Sequence, residues 1–149
     1  MEAVIFVGIQ ASGKSTFFKE RFFDTHVRIN GDMLRTKHRE AELLDTCLQV
    51  KQNFVLDKTN LTRNERTKII SKAKGSNFKI IGYYFQTNLG MAMKRNDQRV
   101  GGSRIPEKGL LGSFKKLQIP SEQEGFDELF YVSISDAGRF TVEAWKGEV

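Results

Sequence analysis

Residues 4–16 read VIFVGIQASGKST: an apolar run, then Gly8, then four residues, then Gly13-Lys14-Ser15-Thr16. Val4, Ile5, Phe6 and Val7 bring no polar side chain, so the run suits a strand buried on both faces, and such strands belong to parallel sheets covered by helices. Gly8 and Gly13 permit sharp bends, and a helical pattern begins at once after them. A strand, a glycine-bounded loop and the first turn of a helix aim several backbone N–H groups at one point, where they hold phosphate oxygens. The pattern G-x-x-x-x-G-K-[ST] is met at every fixed position. It assigns Gly8, Gln10, Ala11, Ser12, Gly13, Lys14, Ser15 and Thr16 to a nucleotide triphosphate, with Lys14 reaching the β and γ phosphates and Ser15 on Mg²⁺. A glycine-rich turn between two core elements is the structural alternative.

Downstream, strand and helix patterns alternate. Strands are expected at 3–7, 26–30, 53–57, 78–85 and 129–134, and helices at 14–23, 64–74, 89–99 and 107–117, with 34–51 mostly helical. Thr62-Arg63-Asn64-Glu65 ahead of Ile69-Ile70 is a capping-box pattern, and Gly75 is placed to stop that helix. This alternation predicts right-handed βαβ units, hence an α/β fold with a parallel sheet and helices on both faces. Ligands of such sheets sit beyond the carboxyl ends of the strands, which predicts that 8–15, 30–35, 57–60 and 85–88 face one another. The tail 138–149 contains a candidate antiparallel edge strand at 139–145. A length of 149 residues with no linker and no internal repeat predicts a single domain, 1–149.

Composition narrows the setting. Cys47 is the only cysteine, so no intrachain disulfide forms and a reducing, cytoplasmic location is expected. The apolar run at 3–7 is too short to span a bilayer, and it feeds straight into the loop, leaving no room for a cleaved signal. A net charge of +6 favours a polyanionic partner. The basic residues recur at Arg35, Lys37 and Arg39, from Lys58 through Arg63, Arg66, Lys68, Lys72 and Lys74, at Lys94-Arg95 to Arg104, and at Lys115-Lys116. Each cluster reads either as part of an anion-binding surface or as a solvated helix face.

Three segments carry further chemistry. Asn30-Gly31-Asp32-Met33-Leu34-Arg35 follows the second strand, where a carboxylate stands across the cleft from the γ-phosphate and can take a proton from an attacking hydroxyl. Asp32 is therefore the candidate general base, with Arg35 on the same side of a helical turn; the alternative makes Asp32 the N-cap of the next helix. Phe54-Val55-Leu56-Asp57 is an apolar run ending in an acid, which places Asp57 on Mg²⁺ directly or through water. Thr59 and Asn60 follow, as site residues or as ordinary turn residues. Arg95 and Arg99 lie one helical turn apart before a glycine-rich segment, so both can point at one anion from a mobile lid at about 95–108, or else favour a helix carboxyl end. Phe17, Phe18, Phe22 and Phe23 recur at helical spacing and read as core rather than as stacking platforms for bases, while one of Tyr83 and Tyr84 is a candidate to face the cleft.

In order, the segments around Gly8 to Thr16, Ile29-Asn30-Gly31-Asp32 to Arg35, Asp57-Lys58-Thr59-Asn60, and Lys94-Arg95-Asn96 to Arg99 followed by Ile105-Pro106 resemble the kinase domain of polynucleotide 5′-hydroxyl kinases, within the small P-loop kinases. The resemblance implies a P-loop NTPase/kinase-like sheet with an arginine-bearing lid. It implies Asp32 as the base, Arg35 on the acceptor's neighbouring phosphate, and Lys14, Arg95 and Arg99 neutralising the phosphoryl group in transfer. Ser15 ligates the metal, and Asp57, with Asn60 beside it, serves the metal or the acceptor. Gly31 and Lys58 stand where members of that family often carry other residues, and no D-x-D-x-T phosphatase or K-x-D-G ligase motif is present.

The expected activity is transfer of the γ-phosphate of ATP, with Mg²⁺, to a hydroxyl, foremost the 5′-OH of DNA or RNA. A kinase of small metabolites or nucleosides and a nucleotide-dependent binding module are the competing readings.

Overall fold

Ala3 to Val7 are all fully buried, as an unbroken apolar run requires, and this strand lies inside a six-stranded sheet. In the computed structural model, which describes residues 1–147, the chain runs β1 (Glu2–Val7), α1 (Lys14–Arg21), β2 (Val27–Ile29), α2 (Gly31–Leu34), α3 (Lys37–Val50), β3 (Phe54–Leu56), α4 (Arg63–Gly75), β4 (Lys79–Phe85), α5 (Leu89–Asp97), α6 (Glu107–Lys116), β5 (Glu128–Ile134) and β6 (Phe140–Ala144). Turns of 3₁₀ form occupy Gly101–Ser103 and Glu122–Glu124. Glu148 and Val149, at the end of the expected tail, lie outside the described residues.

The strand order is β2-β3-β1-β4-β5-β6. β1 pairs parallel with β3 and β4, β2 with β3, and β5 with β4, while β6 returns antiparallel along β5. The fold is thus α/β with a mostly parallel sheet, and the edge strand expected at 139–145 is β6. Side chains alternate along β1: Ala3, Ile5 and Val7 meet Leu44, Cys47 and Leu48 of α3 with Ile70 and Ala73 of α4, whereas Val4 and Phe6 meet Phe17 and Phe18 of α1 and Phe22. Phe6, Phe17, Phe22, Tyr83 and Phe85 pack edge-on or tilted, with Phe6 and Phe85 centroids 5.0 Å apart. Phe23 departs from this core and is 70% exposed.

Several helix boundaries differ from expectation: α1 ends at Arg21 rather than at 23, and α5 at Asp97 rather than at 99. The helix expected across 34–51 is broken, because Arg35 takes a left-handed backbone (φ 74°) that ends α2, and the Thr36 hydroxyl then accepts from Arg39 N at 3.1 Å to start α3. Thr62 caps α4 as its sequence suggests, accepting from Glu65 N at 3.2 Å, but Gly75 is still helical and the left-handed residue that turns the chain is Asn77 (φ 63°). Among the described residues, no helix is long and apolar enough to cross a membrane.

Arg66, in sequence one of a basic cluster, points inward and is fully buried. Its Nε and Nη2 donate to both carboxylate oxygens of Glu124, at 2.7 and 3.1 Å, and its Nη1 donates to the carbonyls of Asn60 and Leu61 at 2.8 and 3.0 Å. The pair therefore fixes the chain leaving β3 to the segment before β5, and Arg66 is unavailable to an external anion. Removing Arg66 leaves the buried Glu124 carboxylate with only the exposed Arg63, whose Nε is 3.8 Å away, so Arg66→Ala should destabilise the protein by about 3–5 kcal/mol. Urea unfolding measures this, and a loss below about 1 kcal/mol would place the pair's worth at that of a surface ion pair.

Candidate active site

The loop between β1 and α1 is shaped by contacts that its glycines alone allow. A Cβ on Gly8 would stand 2.9 Å from Ser12 Oγ and 3.1 Å from Phe85 Cβ. Gly13 combines a left-handed backbone (φ 98°) with a position where a Cβ would lie 3.2 Å from the ring of Phe140 in β6. Inside the loop, Lys14 Nζ donates to the carbonyls of Gly8 at 3.0 Å and Ile9 at 2.7 Å. Burial lowers the Lys14 ammonium from its ordinary 10.5 to about 8; Asp57 opposes the shift, Arg99 adds to it, and Asp32 opposes it. The electrostatics thus place two carboxylates and a guanidinium within influence of this nitrogen.

A cavity of about 270 Å³ opens above the loop. It is lined by Gln10, Ala11, Gly13, Lys14, Ser15 and Thr16 of the loop and first turn, by Asn30, Gly31, Asp32, Asp57, Lys58 and Thr59 beyond β2 and β3, and by Arg99 and Ile105 from the segment after α5. Three of the four strand-end segments expected to face one another do so. The fourth, 85–88, lies behind the loop, where Gln86 and Asn88 share a small recess with Ser12 and Arg95. Neither Tyr83 nor Tyr84 lines the main cavity.

Asp32 does not cap the helix: Asn30 does, its Oδ1 accepting from Met33 N at 2.9 Å. That leaves Asp32 exposed on the cavity that the phosphate loop also lines. Asn30 also donates through Nδ2 to Asp57 O at 2.8 Å, tying the ends of β2 and β3. The Asp57 carboxylate is 1% exposed and accepts from Ser15 Oγ at 3.3 Å and from Arg28 Nε at 2.8 Å, and Arg28 Nη2 in turn donates to Ser15 Oγ at 2.8 Å. A hydroxyl and a carboxylate in contact are hard oxygen donors that fit Mg²⁺ completed by phosphates and water. Arg28 was not singled out from sequence; its signal is a charge at the middle of the short strand Val27–Ile29.

Other candidates sit elsewhere. Asn60 is buried, with its amide donating to Phe6 O at 2.7 Å and Leu56 O at 3.3 Å, a clamp between strand ends. Arg35 is exposed and outside the cavity wall. Arg95 and Arg99 do not converge: Arg95 Nη1 donates to Ala11 O at 3.1 Å, backing the loop, with its pKa lowered by burial, whereas Arg99 lies beyond the end of α5 and lines the cavity. Asn96 pins the return of the segment after α5, its Oδ1 accepting from Ile105 N at 2.7 Å.

The chain is 28% identical to a bifunctional polynucleotide phosphatase/kinase of Schizosaccharomyces pombe, with 84% of this chain and 32% of that protein covered. It is 24% identical to an L-seryl-tRNA(Sec) kinase of Methanococcus maripaludis, with 83% of this chain and 55% of that protein covered. The chain therefore spans about a third and about half the length of these curated relatives. In three dimensions it shares its fold with Chaetomium thermophilum Kti12 in complex with ADP-AlF3, at a TM-score of 0.68 and 14% identity over 91% of this chain and 92% of that one. Residues 4–118, from β1 through α6, match the family described as AAA domain, and the chain belongs to that family as one of its P-loop kinase-like members.

Proposed function

We propose that this protein moves the γ-phosphate of ATP onto a hydroxyl, and that the acceptor is the 5′-hydroxyl of DNA or RNA. The observation that carries this reading is that Asp32 and the phosphate loop line one cavity together with Lys14, Asp57 and Arg99. The acceptor class is supported by the net charge of +6 and by relatives whose names join kinase activity to a polynucleotide and to a tRNA. The free, buried Cys47 suits a reducing cytoplasm.

In the proposed reaction the triphosphate lies on the loop's backbone N–H groups, and Lys14 exchanges its loop carbonyls for β and γ oxygens. Asp32 takes the proton of the acceptor hydroxyl as that oxygen bonds to the γ phosphorus. The bond from phosphorus to the β–γ bridging oxygen breaks, and ADP leaves with the electron pair. Ser15 and Asp57 would hold Mg²⁺, which supplies positive charge to the phosphate oxygens, and Arg28 keeps those two side chains in register. Arg99 offsets charge on the transferring group from the lid. Arg95 steadies the loop through Ala11, Asn60 steadies the strand ends, and Arg35 meets the acceptor's neighbouring phosphate at the mouth.

Three outcomes are expected. Labelled ATP with Mg²⁺ should label a 5′-OH oligonucleotide, and Asp32→Ala should lower that turnover on the order of 100-fold while ATP affinity stays within about twofold; transfer surviving the change would remove Asp32 as base. Arg99→Ala should lower kcat on the order of 100-fold, against a small effect on ATP affinity, and an unchanged rate would remove it from the site. Lys14 must be charged to hold the triphosphate, so ATP affinity should be level below its pKa of about 8 and should then fall by up to about tenfold per pH unit above it. Calorimetry in buffers of different ionisation heat should detect proton uptake on binding above that pH, and its absence would mean that Lys14 is already charged in the empty loop.

A further inference from the structure

Both α3 and α4 start where a strand ends, at the carboxyl edge of the sheet, and run back across the same face. Between them lies a groove of about 500 Å³ that the phosphate-loop cavity touches only at Lys58. Its floor is apolar, with Leu44 of α3 and Leu56 of β3 buried and Ile69 of α4 half-buried. Its rim is cationic. Lys37, Lys58, Lys68 and Lys72 line it against the carboxylates of Glu40 and Glu65, which leaves two positive charges in excess.

The four ammonium groups are not equivalent. Lys58 is paired with Glu40 at 2.6 Å, and Lys72 with Asp45. Lys37 and Lys68 have no ion-pair partner among the described residues, and both are exposed. Lys37 opens α3, while Lys68 lies within α4, with Lys72 about 6 Å further along the same helix. A line of cations over an apolar floor, starting at the wall shared with Asp32, matches a flexible chain of phosphates carrying flat apolar rings. A single strand, whose unstacked bases can be splayed onto a protein surface, suits such a recess better than a duplex does.

We propose that this groove holds the acceptor strand behind its reacting 5′ end, as a single-stranded polynucleotide with backbone phosphates on Lys37 and Lys68 and a base over Leu44, Leu56 and Ile69. The proposal rests on the polynucleotide reading of the acceptor. Lys58 is the joint between the two halves: a phosphate arriving there competes with Glu40, so the strand enters the groove as its hydroxyl enters the cavity.

The test compares a 5′-OH 12-mer with a nucleoside 3′-phosphate, an acceptor too short to reach the groove, in wild type and in the Lys37→Glu/Lys68→Glu double variant. For the 12-mer, KM should rise about 30-fold with kcat unchanged, and the slope of log KM against log salt should fall by about 1.4, the share of two single-strand phosphate contacts. For the nucleoside 3′-phosphate, KM should change less than twofold. Lys37→Gln/Lys68→Gln should show the same pattern at smaller size. A 12-mer phosphorylated with unchanged KM and salt slope in the variants would overturn the groove while leaving the kinase reading intact. An equal loss for both acceptors would also overturn it, since the lysines would then act at the cavity. If wild type phosphorylates the nucleoside 3′-phosphate but no oligonucleotide, the polynucleotide reading fails and the groove proposal with it.

Discussion

An ammonium nitrogen folded into the carbonyls of its own loop is the interaction on which the rest of this structure turns. Lys14 donates to Gly8 and Ile9, and it can do so only because Gly8 brings the backbone against Ser12 and Phe85 and Gly13 reverses the chain through a left-handed backbone. Burial destabilises that charge, and the surroundings answer it with Asp57 and Asp32. A desolvated cation facing two carboxylates across a cavity is poised for a ligand rich in negative charge, because an anion there restores what burial took away. The sheet holds this arrangement rigid, with β1 fully buried between two layers of apolar side chains.

Several elements far apart in sequence serve that loop from behind. Phe140 of β6 packs against Gly13 and stacks edge-on with Phe17 at 5.1 Å, so the tail of unassigned role is a buttress for the first turn of α1. Arg95 holds Ala11 from the back, and Thr59 accepts from Gly8 N at 3.1 Å from the side. The donor half of the proposed site is therefore fixed from several directions. The segment that carries Arg99 is anchored at its return, where Asn96 meets Ile105. Rigidity around the phosphates with a separate arginine-bearing segment suits a reaction in which water must be kept from the γ-phosphate until an acceptor arrives.

Much of this was legible in the residues. The apolar runs and alternating helices specify the sheet, and the rule that ligands gather at the carboxyl strand ends brings Asp32, Asp57 and the loop together without a contact being known. What was not legible depends on tertiary packing. Arg35 looked like a helical neighbour of Asp32, but a left-handed backbone at that residue separates two helices, and no local pattern announces such a residue when it is not glycine. Arg66 counted as one more cation of a basic helix until Glu124, 58 residues later, claimed it. Arg28 went unnoticed because its partners, Ser15 and Asp57, come from two other elements. Arg95 and Arg99 share a helical spacing, yet α5 ends at Asp97, so the turn that would have aligned them is absent.

In the proposed reaction donor and acceptor meet in one cavity and the phosphoryl group passes directly between them. The stereochemistry of transfer tests it most directly, using ATP whose γ-thiophosphate is made chiral with oxygen isotopes and a 5′-OH oligonucleotide as acceptor. Direct in-line displacement predicts inversion of configuration at phosphorus, with the thiophosphate on the 5′ oxygen. Retention would contradict the account, since it requires a covalent phosphoenzyme between two displacements, and transfer to water alone would contradict it as well.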